Sequence, residues 1–160
     1  HRLAEQFSQY ARLPEPRFEM FDLDEIVRAV LQANAATLDP VTLRCEPAPI
    51  RGARLLLTRA IHNLVLNARE ASPPRAAIEL VLCTRAERVT LEVLDRGSGL
   101  PPDVRNRLFE PYVSTKRRGS GLGLSLVRDI VHQHGGTITL EDRSGGGARA
   151  VVALPRATGA

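Results

Sequence analysis

With 160 residues, 43% of them hydrophobic and 25% charged, the chain is long enough to form one domain with a real core. No apolar run approaches the length that a membrane-spanning helix needs, so no membrane contact is expected. A formal net charge of +4 permits nucleic-acid binding, but only 4% of residues are aromatic, which leaves few stacking platforms for bases, and no nucleic-acid partner is expected. Cys45 and Cys83 lack metal-ligand spacing and read as two reduced thiols.

Residues 1–12 place Leu3, Phe7, Tyr10 and Ala11 on one helical stripe that has no capping residue before it. The stripe reads as the end of a longer helix, and Pro14 and Pro16 break it. "RFEMFDL" (17–23) alternates as a strand does, and Asp24 is placed to cap a helix to about Asn34 that buries Ile26, Val27, Val30 and Leu31. "VTLRCE" (41–46) predicts a short strand, and a long helix follows over about 53–72, stopped by Pro73–Pro74. "AIELVLCTR" and "RVTLEVLD" predict a hairpin. A short helix near 102–108 and an irregular stretch at 110–120 precede a helix from about Leu122 to His134 that ends at Gly135–Gly136. "TITLED" and "ARAVVALP" predict a closing hairpin around "RSGGG". Hairpin-paired strands and three amphipathic helices give an α/β two-layer sandwich, a mixed, mostly antiparallel sheet with the helices on one face.

Three stretches could carry chemistry. In the long helix Asn63 and Asn67 stand four apart and share a face otherwise rich in apolar residues. That face is either simply solvated or presents amide oxygens to a hard cation such as Mg²⁺, which keeps several waters and shares its shell with phosphates. "VLDRGSGL" (93–100) ends a strand at Asp95, followed by Gly97 and Gly99. This is either an ordinary turn or a carboxylate that accepts from an exocyclic amine, with glycines that let a flat ring approach. "GSGLGL" (119–124) opens a helix, where backbone N–H groups and the helix dipole favour an anion. It matches neither the Rossmann glycine pattern nor the P-loop.

Together these pieces resemble the ATP-binding catalytic domain of sensor histidine kinases, in the group that includes gyrase, the Hsp90 chaperones and MutL. "NLVLNAREA" resembles the N box, "DRGSGL" the first glycine box, "LFEPYVSTK" the F box and "GSGLGLSLV" the second glycine box, in the family's order and over roughly residues 17–156. The opening "FSQYARLPEP" is similar to the end of the dimerisation hairpin of nitrogen-regulation sensors, which divides the chain into a helix end and linker at 1–16 and a catalytic domain at 17–160.

The resemblance implies ATP and Mg²⁺ as ligands in a Bergerat-type fold. Asn67 would hold the metal, Asn63 the phosphates or the metal's shell, and Asp95 the adenine amino group, with Gly97 and Gly99 beneath the base. Residues 110–120 would form a mobile lid in which Tyr112, Thr115, Lys116 and Gly119 meet the nucleotide. Lys116 would reach the phosphates, and the amides of Gly121, Leu122 and Gly123 would cradle them. Tyr112 stands where phenylalanine is usual, Ala148 where threonine is frequent, and Glu70 where some relatives carry a basic residue. Related ATPases place a water-activating glutamate where this chain has Asn63, so rapid hydrolysis is not expected.

In the family the acceptor histidine is followed by an acidic residue. His1, His62, His132 and His134 are followed by Arg2, Asn63, Gln133 and Gly135, so the acceptor is expected on a separate dimerisation domain and the phosphoryl group is then relayed to a response regulator. The resemblance further implies a cytoplasmic setting and a dimeric intact kinase, with this portion monomeric alone. Two other activities share the boxes: a nucleotide-sensing module without transfer, and a serine kinase of the anti-sigma type.

Overall fold

The computed structural model describes residues 16–99 and 123–158. The elements expected at 1–12, 102–108 and 110–120 lie outside the described residues. In chain order the fold runs β1 (Phe18–Asp22), α1 (Leu23–Ala33), α2 (Ala35–Leu38), β2 (Val41–Cys45), β3 (Pro49–Ala53), α3 (Arg54–Ala71), β4 (Ile78–Thr84), β5 (Arg88–Leu94), α4 (Gly123–Gln133), β6 (Thr137–Asp142) and β7 (Ala148–Pro155).

Five strands form one sheet in the order β2-β4-β5-β7-β6. β2 and β4 pair in parallel and the other neighbours antiparallel, so the sheet is mixed and mostly antiparallel, as expected. Its alternation sends Ile78, Leu80, Leu82, Val89, Leu91, Val93, Ala150, Val152 and Leu154 to the buried face. Against that face lie Val27 and Val30 of α1, Leu57, Ile61, Leu64 and Val65 of α3, and Val127, Ile130 and Val131 of α4. Each fully buried aliphatic side chain contributes about 1.5–3 kcal/mol of hydrophobic stabilisation, so this interface holds the two layers together.

Three features depart from the sequence reading. β1 does not join the main sheet but pairs with β3 in a separate two-stranded ribbon. β3 itself was not expected, because Pro49 and Gly52 interrupt the alternation that marks a strand. The cap of α1 is Asp22 rather than Asp24: the Asp22 carboxylate accepts from the Asp24 N–H at 3.0 Å and from the Ala48 N–H at 2.9 Å, tying the helix start to the loop before β3. Asp24 sits inside the first turn, accepting from Arg28 at 2.6 Å and from the Cys45 thiol at 3.0 Å. The thiol bond and the neighbouring guanidinium hold the Asp24 carboxyl below its ordinary range, while burial pushes the Cys45 thiol up. Both cysteines are free thiols.

Two buried polar side chains lock the helices that flank the site. Arg69 of α3 donates to the carbonyls of Leu38, Pro40, Pro73 and Ala76, so one guanidinium satisfies two loops. His134, just past α4, accepts from the Ala53 N–H through Nε2 at 3.0 Å, while its Nδ1 lies 2.7 Å from the Ile130 carbonyl. The Ala53 donor fixes Nε2 as the acceptor and places the proton on Nδ1. His134 thus joins the start of α3 to the end of α4 as a neutral imidazole, and burial pushes its pKa down. The stability it contributes is full above the unfolded value of about 6.5 and is lost as pH falls from there toward the depressed folded value. Urea midpoints are therefore expected to fall between pH 7.5 and pH 5, and His134→Gln to flatten that fall. An equal pH slope in both proteins would contradict this role.

Candidate functional site

α3 runs beside the sheet with Leu57, Ala60, Ile61, Leu64, Val65 and Ala68 turned inward. That stripe fixes the rotation of the helix and leaves Asn63 and Asn67 half-buried at its edge, one turn apart. α4 packs alongside α3 and starts at Gly123. Among the described residues nothing lies within 4 Å of where a Cβ on Gly123 would sit.

Asp95 follows the last residue of β5 and is buried. Its Oδ1 accepts from the Gly97 N–H and the Ala148 N–H, both at 2.9 Å, and its own N–H donates to the Ala148 carbonyl at 2.9 Å. Among the described residues no donor meets Oδ2. One carboxylate oxygen is thus fixed by the backbone, and the other meets no described donor, an arrangement that suits an exocyclic amine.

The loop after Asp95 is pressed against the end of α3. A Cβ on Gly97 would lie 3.1 Å from the Ala71 carbonyl carbon and closer still to its oxygen, so only glycine fits. Gly97 therefore lets the loop approach the end of α3. Gly99 is the last described residue before residue 123, with φ +84°. Ser72, at the C-terminal cap of α3, accepts from the Arg96 N–H through Oγ at 2.8 Å. Arg143, from the β6–β7 turn, donates to the Asp95 carbonyl at 3.1 Å and to Glu79 Oε1 at 2.8 Å.

Of the residues expected at the site, Asn63, Asn67, Asp95, Gly97, Gly99 and Gly123 are described. Tyr112, Thr115, Lys116, Gly119, Gly121 and Leu122 lie outside the described residues. Sequence reasoning missed Ser72, Glu79 and Arg143, none of which belongs to a glycine or asparagine motif. Ala148 lacks the hydroxyl of a threonine, yet its main chain supplies two of the bonds that hold Asp95. The described residues contain no group of three or more His, Cys, Asp or Glu side chains arranged to hold a metal ion. Asn67, half-buried at the edge of α3, carries an amide oxygen, the hard donor type that Mg²⁺ takes beside waters and substrate phosphates.

A mixed sheet with helices packed on one face, with Asn63 and Asn67 on α3 and Asp95 just past β5, makes this an α/β sandwich of the two-layer kind. Residues 52–158 match the family described as histidine kinase-, DNA gyrase B- and HSP90-like ATPase, and the chain belongs to that family. Within it, the likeness is to the ATP-binding catalytic domains of sensor histidine kinases. The nitrogen regulation protein NtrY of Azorhizobium caulinodans is 36% identical over 151 residues, covering 88% of this chain and 20% of that protein. The mycobacterial sensor histidine kinase MprB superposes with a TM-score of 0.79 at 28% identity, covering 88% of this chain and 98% of that one. Full-length ShkA, solved in complex with AMPPNP, gives a TM-score of 0.79 at 25% identity, covering 99% of this chain and 36% of that one. The chain spans between about a fifth and a third of the length of the curated relatives it matches. Among the described residues no helix is long and apolar enough to cross a membrane.

Proposed function

We propose that the chain binds Mg·ATP and delivers the γ-phosphoryl group to a histidine on a separate dimerisation domain, for relay to a response regulator in a nitrogen-regulation-type cytoplasmic sensor system. The observation that carries this reading is Asp95: Oδ1 is held by two backbone N–H groups while Oδ2 meets no donor among the described residues. Adenine supplies the missing donor through its amino group. Asn63 and Asn67, at the edge of α3, suit the phosphate end of the same ligand, with Asn67 holding the metal. When bound, Mg²⁺ neutralises charge on the phosphate oxygens.

An imidazole acceptor is already a nucleophile, so the chain's task is positioning and charge stabilisation rather than proton abstraction. Asn63, an amide, cannot activate water as a carboxylate would, which favours transfer over hydrolysis. The histidines of this chain do not suit the acceptor role. Both ring nitrogens of His134 are engaged in the core, and neither His62 nor His132 is followed by an acid.

The test mixes the chain with a helical hairpin that bears a histidine followed by an acidic residue, and with γ-labelled ATP and Mg²⁺. Acid-labile, alkali-stable label on that histidine is expected. Label on serine would favour a serine kinase instead, and nucleotide bound with no label transferred would favour a sensing module.

A further inference from the structure

The peptide unit between Asp95 and Arg96 is held at both ends by side chains from elsewhere in the fold. Its carbonyl oxygen accepts from Arg143 Nη1 at 3.1 Å, and its N–H donates to Ser72 Oγ at 2.8 Å. Arg143 is in turn anchored: its Nη2 donates to Glu79 Oε1 at 2.8 Å, and its side chain is only 9% exposed. Arg96 Nη2 also approaches Glu79 Oε1, at 3.6 Å. The guanidinium therefore spans from β4 to the end of β5, out of the turn that joins β6 to β7.

A peptide plane held at one end can rock about its flanking torsions, whereas one held at both ends cannot. The orientation of that plane is the ψ torsion of Asp95. The next N–H, that of Gly97, is one of the two donors on Asp95 Oδ1. Orientation passes from Arg143 to the peptide, and from the peptide to the carboxylate. A charged donor in a fork geometry makes stronger bonds than a neutral one and matches two acceptors at once.

We propose that Arg143 is a positioning residue for base selection: by fixing the Asp95–Arg96 peptide it aims Asp95 Oδ2 at the 6-amino group of adenine. The inference rests on the reading that Asp95 meets that amine. Arg143 does not touch the nucleotide. Its loss loosens recognition of the amine while leaving the phosphate end, at α3 and the start of α4, as it was. A merely structural role would weaken every nucleotide alike.

The experiment measures, by calorimetry with Mg²⁺, the affinity of the 160-residue chain for ATP and for purine riboside triphosphate, which lacks the 6-amino donor. Arg143→Met is expected to lower the preference for ATP by at least about fivefold, with the affinity for the purine analogue within about twofold of wild type. Equal weakening of both ligands, or an unchanged preference, overturns the inference. Glu79→Gln, which keeps the side-chain shape but weakens the anchor, is expected to shift the preference in the same direction. It carries the test if Arg143→Met does not fold, and an unchanged preference in Glu79→Gln then overturns the inference. Asp95→Asn separates the two levels, since its amide oxygen can still accept from Gly97 and Ala148 while its NH₂ faces the base. If Asp95→Asn keeps the wild-type preference, the adenine reading falls, and this inference with it. If Asp95→Asn loses the preference while both Arg143→Met and Glu79→Gln keep it, only the role of Arg143 falls.

Discussion

Gly147→Ala is expected to lose about 3 kcal/mol of stability, or about 10 °C in Tm, and at least about tenfold in ATP affinity. Two independent costs fall on this one position. Gly147 has φ +101°, a conformation that a residue with a Cβ rarely adopts. A Cβ there would also lie 2.9 Å from the carbonyl carbon of Asp95 and closer still to its oxygen. The same carbonyl accepts from Arg143, and the next residue, Ala148, donates to Asp95 Oδ1. Relieving the clash therefore moves the carboxylate or breaks its bonds. Gly146→Ala is the control: its φ of +109° is equally unusual, but nothing lies within 4 Å of its Cβ position. It should cost about 1–2 kcal/mol and leave ATP affinity unchanged. Melting curves and nucleotide titrations on the two variants check this. Equal loss of affinity in both would mean that the turn, and not the contact with Asp95, matters.

The second large effect concerns Asn67. Its amide sits half-buried at the edge of α3, in a helix whose rotation is fixed by six buried apolar side chains. Asn67→Ala removes an oxygen without altering that stripe, and alanine is a better helix former. The folded state should therefore survive while the Mg²⁺-dependent part of ATP binding falls by about tenfold to a hundredfold. Thermal unfolding without nucleotide separates the two effects, because Tm then reports only what Asn67 contributes to the fold.

How much of this was legible in the sequence depends on the range of the interaction that decides each feature. The stripe of α3 and the alternation of β4, β5 and β7 are local patterns, and each of these elements lies where periodicity puts it. The asparagine pair and Asp95 stand out as polar residues where apolar ones would serve. What stayed hidden is non-local. Nothing in "PIRGA" says that it pairs with β1, since Pro49 and Gly52 mask a strand whose bonds come from a segment some thirty residues earlier. The parallel pairing of β2 with β4 leaves no trace in either strand's pattern. Asp22 outcompetes Asp24 as a cap because it also reaches Ala48, 26 residues away. Around the site, Oδ1 of Asp95 is held by a residue 53 positions on, and the Arg143–Glu79 bond spans 64. Gly97 looked like space for a ligand, but its bare Cα is already required by the Ala71 carbonyl.

The central claim is that one ligand bridges the Asn63–Asn67 edge of α3 and Oδ2 of Asp95. Calorimetric titration of the chain with ATP, with and without Mg²⁺, tests it most directly, with Asn67→Ala run in parallel. The account predicts saturable binding that Mg²⁺ strengthens at least about tenfold in the wild type and hardly at all in Asn67→Ala. A folded chain that gives no binding heat at millimolar ATP with the metal present, or the same gain from Mg²⁺ in both proteins, would contradict it.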